Sequence, residues 1–347
     1  MNLLMMTPRV DPHDDIRGFI YDWILELADN VDKLVVLTPK SADMKMPENV
    51  KIYNLTSLNK NHKRISYLLK MHKSLLKIFL KEKIDAVFSH IYPDFTLAAA
   101  LYAKIRKIPI ITWYTHRQVS HKLRIATFLS DKVVSASKSS FRINTHKLEV
   151  LGHGINTDKF RPVKKNNRKI KKILCVGRID RIKDYETLIE AVNLLVNQDG
   201  FKDFKINTIG NIYDKKYFNE LKNLIKQSKV SKYFNFLGLV PHNKIPQHYQ
   251  NTDLFVHCCN SGVDKALLEA MACEIPVISC AEAFTDILVK FPKCLFEPGN
   301  SKDLAGKIQS MLEQNNIQLG KDLRHIVVEN HSTKSLAKKL VKLYEEL

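Results

Sequence analysis

The sequence predicts an α/β protein made of two Rossmann-like domains in tandem. Short β-branched runs alternate with segments of helical periodicity along the whole chain, a pattern typical of βαβ units around a mainly parallel sheet. The alternation breaks once, at the basic and polar segment 161–172, and then begins again. The 347 residues suffice for two domains of ordinary size, each with its own core.

The first part of the chain, residues 1–160, is predicted to form an N-terminal domain. Its β-branched runs are expected to be strands at 2–7, 33–38, 50–54, 86–89, 110–114, 132–135 and 148–151. Its amphipathic segments are expected to be helices at 16–30, 63–81, 95–105 and 121–129. Seven of the twelve residues at 161–172 are Lys or Arg, so this segment is interpreted as a linker.

The second part repeats the pattern over residues 173–331. Strands are expected at 173–176, 205–209, 234–237, 254–257, 277–279 and 294–296, and helices at 183–197, 215–227, 245–250, 266–272 and 304–313. A last helix at 332–347, apolar at Leu336, Leu340 and Leu343, is expected to pack back on the N-terminal domain. Because ligands bind beyond the carboxyl ends of parallel strands, the two domains are predicted to face an interdomain cleft.

The positive charge is concentrated in one part of the chain. The protein has 55 Lys and Arg against 36 Asp and Glu, a net charge of +19, and residues 51–150 alone contribute 19 against 5, or +14. Such a block attracts nucleic acid, an anionic membrane surface or phosphorylated substrates. Aromatic residues interleaved with Lys and Arg are too few for a nucleic-acid partner to be expected. The basic residues of 60–83 are instead expected to face anionic lipid head groups.

Several classes of site and segment are not expected. The six cysteines lack zinc-type spacing, so they are interpreted as buried thiols and no metal site is predicted. The most apolar stretch, 86–103, is interrupted by His90, Pro93 and Asp94, which argues against a membrane span. Residues 1–6 are too short for the core of a signal peptide. A cytoplasmic protein is expected, with any membrane contact limited to the inner surface of the membrane.

The first segment with chemical character is ILCVGRIDRIKDYETLIEA, residues 173–191. A buried strand, a tight turn at Gly177 and a helix are predicted here. Arg178 and Lys183 then project from the turn and from the start of the helix. Two cations beside the free N–H groups of a helix start suit a diphosphate, although an ordinary turn with two solvated cations has the same pattern.

The second segment is LFVHCCNSGVDKALLEAMACEIPVIS, residues 254–279. A strand, a Ser-Gly loop and a helix that carries Glu269 are predicted. The loop and the start of the helix direct N–H groups toward the ligand edge, and Glu269 can accept hydrogen bonds from hydroxyl groups. Its sequence neighbours Leu267, Leu268 and Ala270 are apolar, and a carboxylate among such residues normally has a specific partner.

Together these two segments resemble the signature of retaining glycosyltransferases of family 4, which have the GT-B fold. TWYTHRQVSHKLRIATFLSDKVVSASKSSFR at 112–142 and LGHGINTDKF at 151–160 extend the resemblance into the first domain. The resemblance implies that Arg178 and Lys183 hold the diphosphate of a nucleotide-sugar donor and that Glu269 binds the donor ribose. It places His116 beside the donor sugar.

The resemblance also implies two further groups of residues. The donor-binding residues are Gly177, Gly238, Val240, Ser261, Gly262, Asp264, Lys265 and Leu268. The acceptor-side residues are Gly18, His90 and His153.

The chain departs from the family pattern at two places. Ser261 stands where the family has the first glutamate of its Glu-x7-Glu motif, and Asp264 is expected to substitute for it in part, with Lys265 pairing with phosphate. The loop at 9–19 lacks the usual paired glycines and keeps only Gly18. These departures leave open a catalytically silent donor-binding subunit. A different GT-B activity, such as a nucleotide-sugar epimerase, and a basic nucleic-acid-binding protein are also open.

The resemblance implies a retaining, metal-independent hexosyltransferase that needs no cofactor beyond its UDP- or GDP-linked sugar. No Asp-x-Asp pair stands at a predicted strand end, so cations of the protein would take the place of a divalent metal. The implied acceptor is a hydroxyl group of a glycan or a lipid-linked glycan, in the synthesis of surface polysaccharide, lipopolysaccharide or glycolipid.

Overall fold

Two parallel β-sheets organise the chain, each in its own unit. The computed structural model describes all residues except Asp15, 56–63, 165–168 and 261–263. The first unit contains Met1–Gly154 and Asn330–Leu347, and the second contains Ile155–Glu329. The division therefore falls after Gly154 rather than at residue 160, and the chain returns to the first unit at Asn330.

The first unit is built on a seven-stranded sheet. Its strands are β1 (Asn2–Met6), β2 (Lys33–Thr38), β3 (Val50–Asn54), β4 (Ala86–His90), β5 (Ile110–Trp113), β6 (Lys132–Ser135) and β7 (Leu148–Val150). Its first four helices are α1 (Phe19–Ala28), α2 (Arg64–Lys81), α3 (Pro93–Ile105) and α4 (His121–Leu129). All neighbouring strands are parallel, in the order β3-β2-β1-β4-β5-β6-β7.

Helices cover both faces of this sheet because the strand order reverses at β1. The connections through α2, α3 and α4 advance in one direction across the sheet, whereas the connection through α1 advances in the other. Since such crossovers are right-handed, α2–α4 lie on one face and α1 on the opposite face. Leu4, Val35, Leu75 and Ala99 belong to one buried cluster, which joins alternate strand residues to α2 and α3.

The second unit is built on a five-stranded parallel sheet in the order β10-β9-β8-β11-β12. The strands are β8 (Lys171–Val176), β9 (Phe204–Ile209), β10 (Phe234–Gly238), β11 (Leu254–His257) and β12 (Val277–Ser279). The helices are α5 (Tyr185–Asn193), α6 (Lys215–Gln227), α7 (Ile245–Gln250), α8 (Lys265–Ala272), α9 (Thr285–Leu288), α10 (Ser301–Glu313) and α11 (Ile317–His331). One continuous core of buried apolar residues holds these elements together.

The last helix, α12 (Thr333–Glu345), packs against α1 of the first unit. The hydroxyl of Ser332 caps it by accepting a hydrogen bond from the Ser335 amide at 3.1 Å. Near its other end the buried Tyr344 hydroxyl donates to the Val87 carbonyl oxygen in β4 at 2.6 Å. Leu336 and its helical neighbours fill the space between, so this helix completes the first unit.

Four sequence predictions differ from the structure. The predicted strand at 294–296 is a short turn, with one isolated bridge from Leu295 to Ser279. The helix predicted from 183 begins at Tyr185, because Asp184 adopts a left-handed conformation (φ 48°) after a turn at Arg181–Lys183. The predicted linker at 161–172 overlaps β8, which pairs with β9 from its first residue. Helix α11 was not predicted.

A buried carboxylate lies at the edge of the first sheet, just after α2. Glu82 accepts hydrogen bonds from Lys33 at 2.7 Å and from the Tyr53 hydroxyl, and Lys51 lies 2.8 Å away. Burial raises the pKa of Glu82, but these partners outweigh it and lower the pKa from 4.5 to about 2. The ionised form of Glu82 therefore stabilises the folded state.

We expect Glu82→Gln to lower the melting temperature by a few degrees at pH 7. Because the folded pKa is depressed, the stabilisation is present above pH 4.5 and is lost as the pH falls toward 2. The difference between wild type and variant should shrink over that range, measured by thermal unfolding. Glu149→Gln, at a surface ion pair with a 41% exposed carboxylate, is the control and should change little. Equal effects of the two variants would contradict this account.

Candidate active site

At the carboxyl end of β8, the absence of a side chain at Gly177 makes room for the side chain of Lys183. An added Cβ at Gly177 would lie 2.9 Å from Cε of Lys183, so a larger residue there would push this side chain aside. An added Cβ at Gly210, after β9, would lie 1.8 Å from the carbonyl oxygen of Gly177. The two glycines thus let the turns after β8 and β9 approach each other. Lys183 then extends across the end of β8.

A chain of polar contacts runs along the carboxyl edge of the five-stranded sheet. Nζ of Lys183 lies 2.5 Å from Oδ2 of Asp264. The same oxygen lies 3.3 Å from Nε2 of His257, and Nδ1 of His257 lies 3.1 Å from Oγ of Ser279. His257 ends β11 and Ser279 ends β12. Parallel strands end at one edge, and this brings the four side chains together.

The lysine and the carboxylate form a true ion pair at neutral pH. Burial opposes the ionisation of Asp264, but the Lys183 ammonium and the His257 ring hold the pKa of this carboxyl well below its usual range. Burial likewise opposes the charge on Lys183, yet the carboxylate keeps the lysine pKa above its ordinary value. Oδ1 of Asp264 also caps α8 by accepting a hydrogen bond from the Ala266 amide at 3.1 Å.

Further along α8 lies a second carboxylate, Glu269, which is buried. The Tyr249 hydroxyl is 3.0 Å from Oε2 of Glu269 and 3.0 Å from the carbonyl oxygen of Ala266. Burial, reinforced by nearby Asp264, raises the pKa of Glu269 to about 7, although Lys265 and Tyr249 oppose the shift. Glu269 is therefore partly protonated near neutral pH, an unusual state for a side chain that serves packing alone.

Comparison with known proteins identifies the family. The model of the family described as "Glycosyl transferases group 1" matches residues 156–334, which is more than half of the chain and includes Lys183, Asp264 and Glu269. The chain belongs to this family. No curated protein sequence matches this glycosyltransferase.

Solved structures show that the glycosyltransferase has the GT-B fold. A glycosyltransferase from Rickettsia africae superimposes with a TM-score of 0.77 and 18% identity, over 99% of this chain and 98% of that one. Anabaena HepE in complex with UDP and glucose gives a TM-score of 0.75 and 15% identity, over 100% of both chains. The lipopolysaccharide outer core galactosyltransferase WaaB gives 0.70 and 15%, again over 100% of both.

Arg178 of the glycosyltransferase stands apart from the lysine–aspartate pair. Its side chain is exposed and lies over the ring of Tyr213 at 5.2 Å, with the Asp180 carboxylate 3.3 Å away. Its guanidinium is thus held near the carboxyl end of β8 by a stacking contact and an ion pair. It remains accessible to a ligand from solvent.

The structure describes four of the other predicted donor-binding residues: Gly238, Val240, Lys265 and Leu268. Gly238 ends β10 in a left-handed conformation (φ 70°), and its carbonyl oxygen accepts a hydrogen bond from the Gly210 amide. Val240 is half-buried, Lys265 is the first residue of α8, and the Leu268 side chain is fully buried in the core. Leu268 therefore supports α8 from behind and presents no side-chain atom to a ligand. Ser261 and Gly262 lie outside the described residues.

The structure also places the predicted residues of the first unit. His116 is exposed, three residues past the end of β5, with its ring edge-on to Tyr114 at 5.5 Å. His153 is buried beside Trp113. Gly18 precedes α1 with an ordinary right-handed conformation (φ −54°), so this position does not depend on the conformational freedom of glycine.

His90 does not lie on an open edge, contrary to its interpretation as an acceptor-side residue. It is fully buried, with Nδ1 2.9 Å from the Thr7 hydroxyl and its ring 4.8 Å from that of Trp23. The strand-end position was predicted correctly, but neighbouring aromatic residues close over it. His90 belongs to the core of the first unit.

Two contributors to the site were missed from the sequence. His257 was given no role, although its place at the end of a predicted strand was a usable signal. Tyr249 gave no such signal, because its contact with Glu269 joins two different helices and two residues that are 20 positions apart along the chain. Tyr249 lies in the helix predicted at 245–250, and only the tertiary packing shows that its hydroxyl meets Glu269.

The described residues were also searched for metal-binding groups and for membrane-spanning helices. They include no group of three or more His, Cys, Asp or Glu side chains that could hold a metal ion. None of their helices is both long and apolar enough to cross a membrane.

A cavity of about 680 Å³ is lined by Lys171, Asp253 and Pro276, at the amino ends of the second sheet's strands. It lies at the opposite edge from Lys183 and Asp264.

Proposed function

We propose that this glycosyltransferase moves a hexose from a UDP- or GDP-linked sugar to a hydroxyl group of a glycan or lipid-linked acceptor. We further propose that the anomeric configuration is retained and that no metal ion is needed. The observation that carries the proposal is the half-buried Lys183–Asp264 pair, with the buried Glu269 further along α8, at the ligand-binding edge of the second sheet. The complex of HepE with UDP and glucose supports UDP as the carrier.

The donor diphosphate is proposed to bind over the pair and the start of α8. The Lys183 ammonium has three N–H donors, of which Asp264 engages one, so the others are available to phosphate oxygens. The amide groups of the first turn of α8, Gly177 at the adjacent turn and Lys265 add favourable partial or full charge. Arg178, exposed at the same edge, is proposed to move from Tyr213 to the phosphates.

The reaction follows from this charge distribution. The bond between the anomeric carbon and the donor phosphate oxygen breaks, and its electron pair leaves with the diphosphate. The acceptor oxygen bonds to the same face of the anomeric carbon, and its proton passes to the departing phosphate oxygen. Arg178 and Lys183 stabilise the negative charge that develops on the diphosphate. His116 is proposed to orient the sugar, and the Glu269 carboxylate to accept hydrogen bonds from the ribose hydroxyls.

Asp264 is proposed to position Lys183 rather than to replace the missing glutamate at Ser261. Both of its oxygens are already engaged, Oδ2 by Lys183 and His257 and Oδ1 by the amide of Ala266. A carboxylate with these partners has little capacity left for sugar hydroxyls. Gly238 and Val240 remain proposed as the wall beside the nucleobase, which backbone groups would recognise.

The acceptor is proposed to belong to surface polysaccharide, lipopolysaccharide or glycolipid synthesis at the inner face of the cytoplasmic membrane. The likeness to a lipopolysaccharide galactosyltransferase supports this setting. Gly18 and exposed parts of the first unit near His153 are proposed to form the acceptor side. The lysines of α2 are proposed to face anionic lipids.

The test is a thermal-shift series with UDP, GDP, ADP and CMP, beside a short duplex DNA. A nucleotide at about 100 times its dissociation constant should stabilise the protein by roughly 2.7 kcal/mol, and we expect this for UDP or GDP alone. Stabilisation by DNA only, fading steeply with added salt, would contradict the proposal and favour a nucleic-acid-binding protein. Nucleotide release from the donor sugar then separates a transferase from a silent donor-binding subunit.

A further inference from the structure

The strand order of the first sheet indicates where that sheet binds a ligand. The order reverses between β1 and β4, just as the order of the second sheet reverses between β8 and β11. Ligands of parallel sheets bind beyond the carboxyl ends of the strands at such a reversal. On the second sheet, Lys183 follows β8 and His257 ends β11, as this rule expects. On the first sheet, the rule selects the connections after β1 and after β4, residues 7–18 and 91–92.

The connection after β4 is a strained turn. Ile91 has a φ of 75°, a left-handed conformation that is rare for a β-branched residue. Two backbone hydrogen bonds hold it there: the Ile91 amide donates to the carbonyl oxygen of Trp113, and the Tyr92 amide donates to that of His90, both at 3.0 Å. Strain of this kind is concentrated at functional sites. The residue that follows the strained position is Tyr92, whose side chain is 40% exposed.

Arg17, in the connection after β1, contacts this tyrosine. Its Nη2 donates to the Tyr92 hydroxyl at 2.7 Å, and its guanidinium lies 5.9 Å from the centre of the Tyr92 ring. The Arg17 amide donates to Oδ1 of Asp14 at 2.7 Å, which fixes the backbone from which the side chain extends. One arginine and one tyrosine thus join the two connections at the reversal of the first sheet.

The described carboxylates nearest to this contact in the sequence already have cationic partners. Oδ2 of Asp11 and Oδ2 of Asp14 lie 2.9 Å and 3.0 Å from the guanidinium of Arg9. Asp94, at the start of α3, pairs with Lys122. These carboxylates are therefore engaged within the protein.

Arg17, in contrast, forms no ion pair within the part of the chain that the structure describes. A guanidinium has five N–H groups, of which Tyr92 takes one. The Tyr92 hydroxyl accepts that bond, so its own hydrogen can be donated to a ligand. The pair therefore offers several donors from two side chains that are not buried. A phosphate group, with three acceptor oxygens and a negative charge, suits such a set.

We propose that Arg17 and Tyr92 bind a phosphate group on the acceptor, so that the acceptor of this glycosyltransferase is a phosphorylated sugar. The guanidinium engages two phosphate oxygens and the Tyr92 hydroxyl donates to the third. A carboxylate, as on a uronic acid, has only two oxygens and matches the three donors less well. The inference rests on the proposed function, because it takes the ligand of the first unit to be the acceptor.

The test is calorimetric titration of the full chain in saturating UDP or GDP, which keeps sugar phosphates out of the proposed donor site. The probes are glucose 6-phosphate, glucose and glucuronate. We expect glucose 6-phosphate to bind at least about tenfold more tightly than either of the others. Equal binding of glucose would overturn the proposal. Equal binding of glucuronate would show recognition of charge alone and would overturn the assignment of a phosphate.

Three variants test the two side chains. Arg17→Ala should weaken the binding of glucose 6-phosphate about tenfold or more, and Tyr92→Phe should weaken it a few-fold. The control is Arg106→Ala, which changes the net charge equally and also removes an arginine that lies over an aromatic ring, at 5.2 Å from that of Phe79. This control should bind as wild type does. Equal losses in Arg17→Ala and Arg106→Ala would overturn the proposal.

Chemical modification locates the bound phosphate directly. Phenylglyoxal modifies accessible arginines, and peptide mass spectrometry measures the extent at each position. We expect glucose 6-phosphate to protect Arg17, with or without nucleotide, and to leave Arg106 unprotected. An Arg17 that no sugar phosphate protects would overturn the assignment. A merely structural Arg17 would change the melting temperature on substitution but would not be protected by the ligand.

The same experiments separate this inference from the proposed function. Nucleotide should protect Arg178 and should stabilise Arg17→Ala as much as it stabilises the wild type. If no nucleotide stabilised the wild type or protected Arg178, the proposed donor site would be wrong. If nucleotide bound and glucose 6-phosphate neither bound nor protected Arg17, the proposed function would stand and this inference alone would be overturned.

Discussion

Replacing Lys183 with alanine should reduce the turnover of the donor sugar by about a hundredfold or more. The ammonium lies at the edge where ligands of parallel sheets bind, and it is held ionised by Asp264 at 2.5 Å. Removing one preorganised group that stabilises a developing negative charge typically costs about 10²–10³ in rate. The measurement is kcat and KM for nucleotide release, with UDP- and GDP-sugars as donors.

The control for Lys183→Ala must separate catalysis from folding. Removing the lysine leaves Asp264 as a half-buried carboxylate without its main partner, which destabilises a protein by itself. The double variant Lys183→Met with Asp264→Asn removes both charges and should recover the melting temperature while remaining inactive. Lys216→Ala, at an exposed position on α6, should retain wild-type kinetics. A wild-type rate in Lys183→Ala or in the double variant would contradict the assignment of the donor site.

Periodicity and chain order predicted the two sheets because they are local properties of the sequence. Each strand of the first sheet was predicted within about two residues of its observed ends. Five of the seven strands are short, mainly buried runs, as is typical of parallel sheets, and only the edge strands β3 and β7 are partly exposed. The errors lie where tertiary contacts override local preference. Lys183 was expected on the first turn of a helix, but Asp184 adopts a left-handed conformation and places the lysine in a separate turn.

The candidate site was predictable only as far as its residues lie at strand ends or at motif positions. Arg178, Lys183, Asp264 and Glu269 met that condition. Some of the residues that shift the pKa values of these side chains lie neither at a strand end nor at a motif position. Tyr249, for example, contacts Glu269 from a different helix. His90 shows the opposite error. It ends a strand as a ligand-binding residue would, but aromatic side chains that are distant in sequence enclose it.

Glu269→Gln should weaken donor binding by about tenfold or more and remove most of its dependence on pH. Hydrogen bonds from ribose hydroxyls are stronger to the ionised carboxylate than to its protonated form, and burial raises the pKa of Glu269 to about 7. The affinity of the wild type for its nucleotide should therefore rise as the pH increases through 7. The glutamine is isosteric and cannot ionise, so its affinity should be low and flat. Calorimetric titration with the stabilising nucleotide between pH 6 and pH 8.5 measures both curves.

Glu269→Gln should raise the melting temperature of the protein at the pH values at which it lowers nucleotide affinity. Because the folded pKa of Glu269 lies above its ordinary 4.5, the contribution of this carboxyl to stability is full below pH 4.5 and is lost as the pH rises through about 7. At pH 8 the wild type holds a buried negative charge, so Glu269→Gln should melt at a higher temperature there and not at pH 4.5.

Tyr249→Phe provides the matched control for Glu269. The Tyr249 hydroxyl opposes the rise of the Glu269 pKa, so its removal should shift the rise in nucleotide affinity to higher pH while leaving the affinity at pH 8.5 closer to that of the wild type. A residue that only fills the core would change the melting temperature without moving the pH profile. Stability gained together with affinity lost is the signature of a carboxylate kept for its ligand. If Glu269→Gln lowered stability at pH 8 and left nucleotide affinity unchanged, Glu269 would be a packing residue.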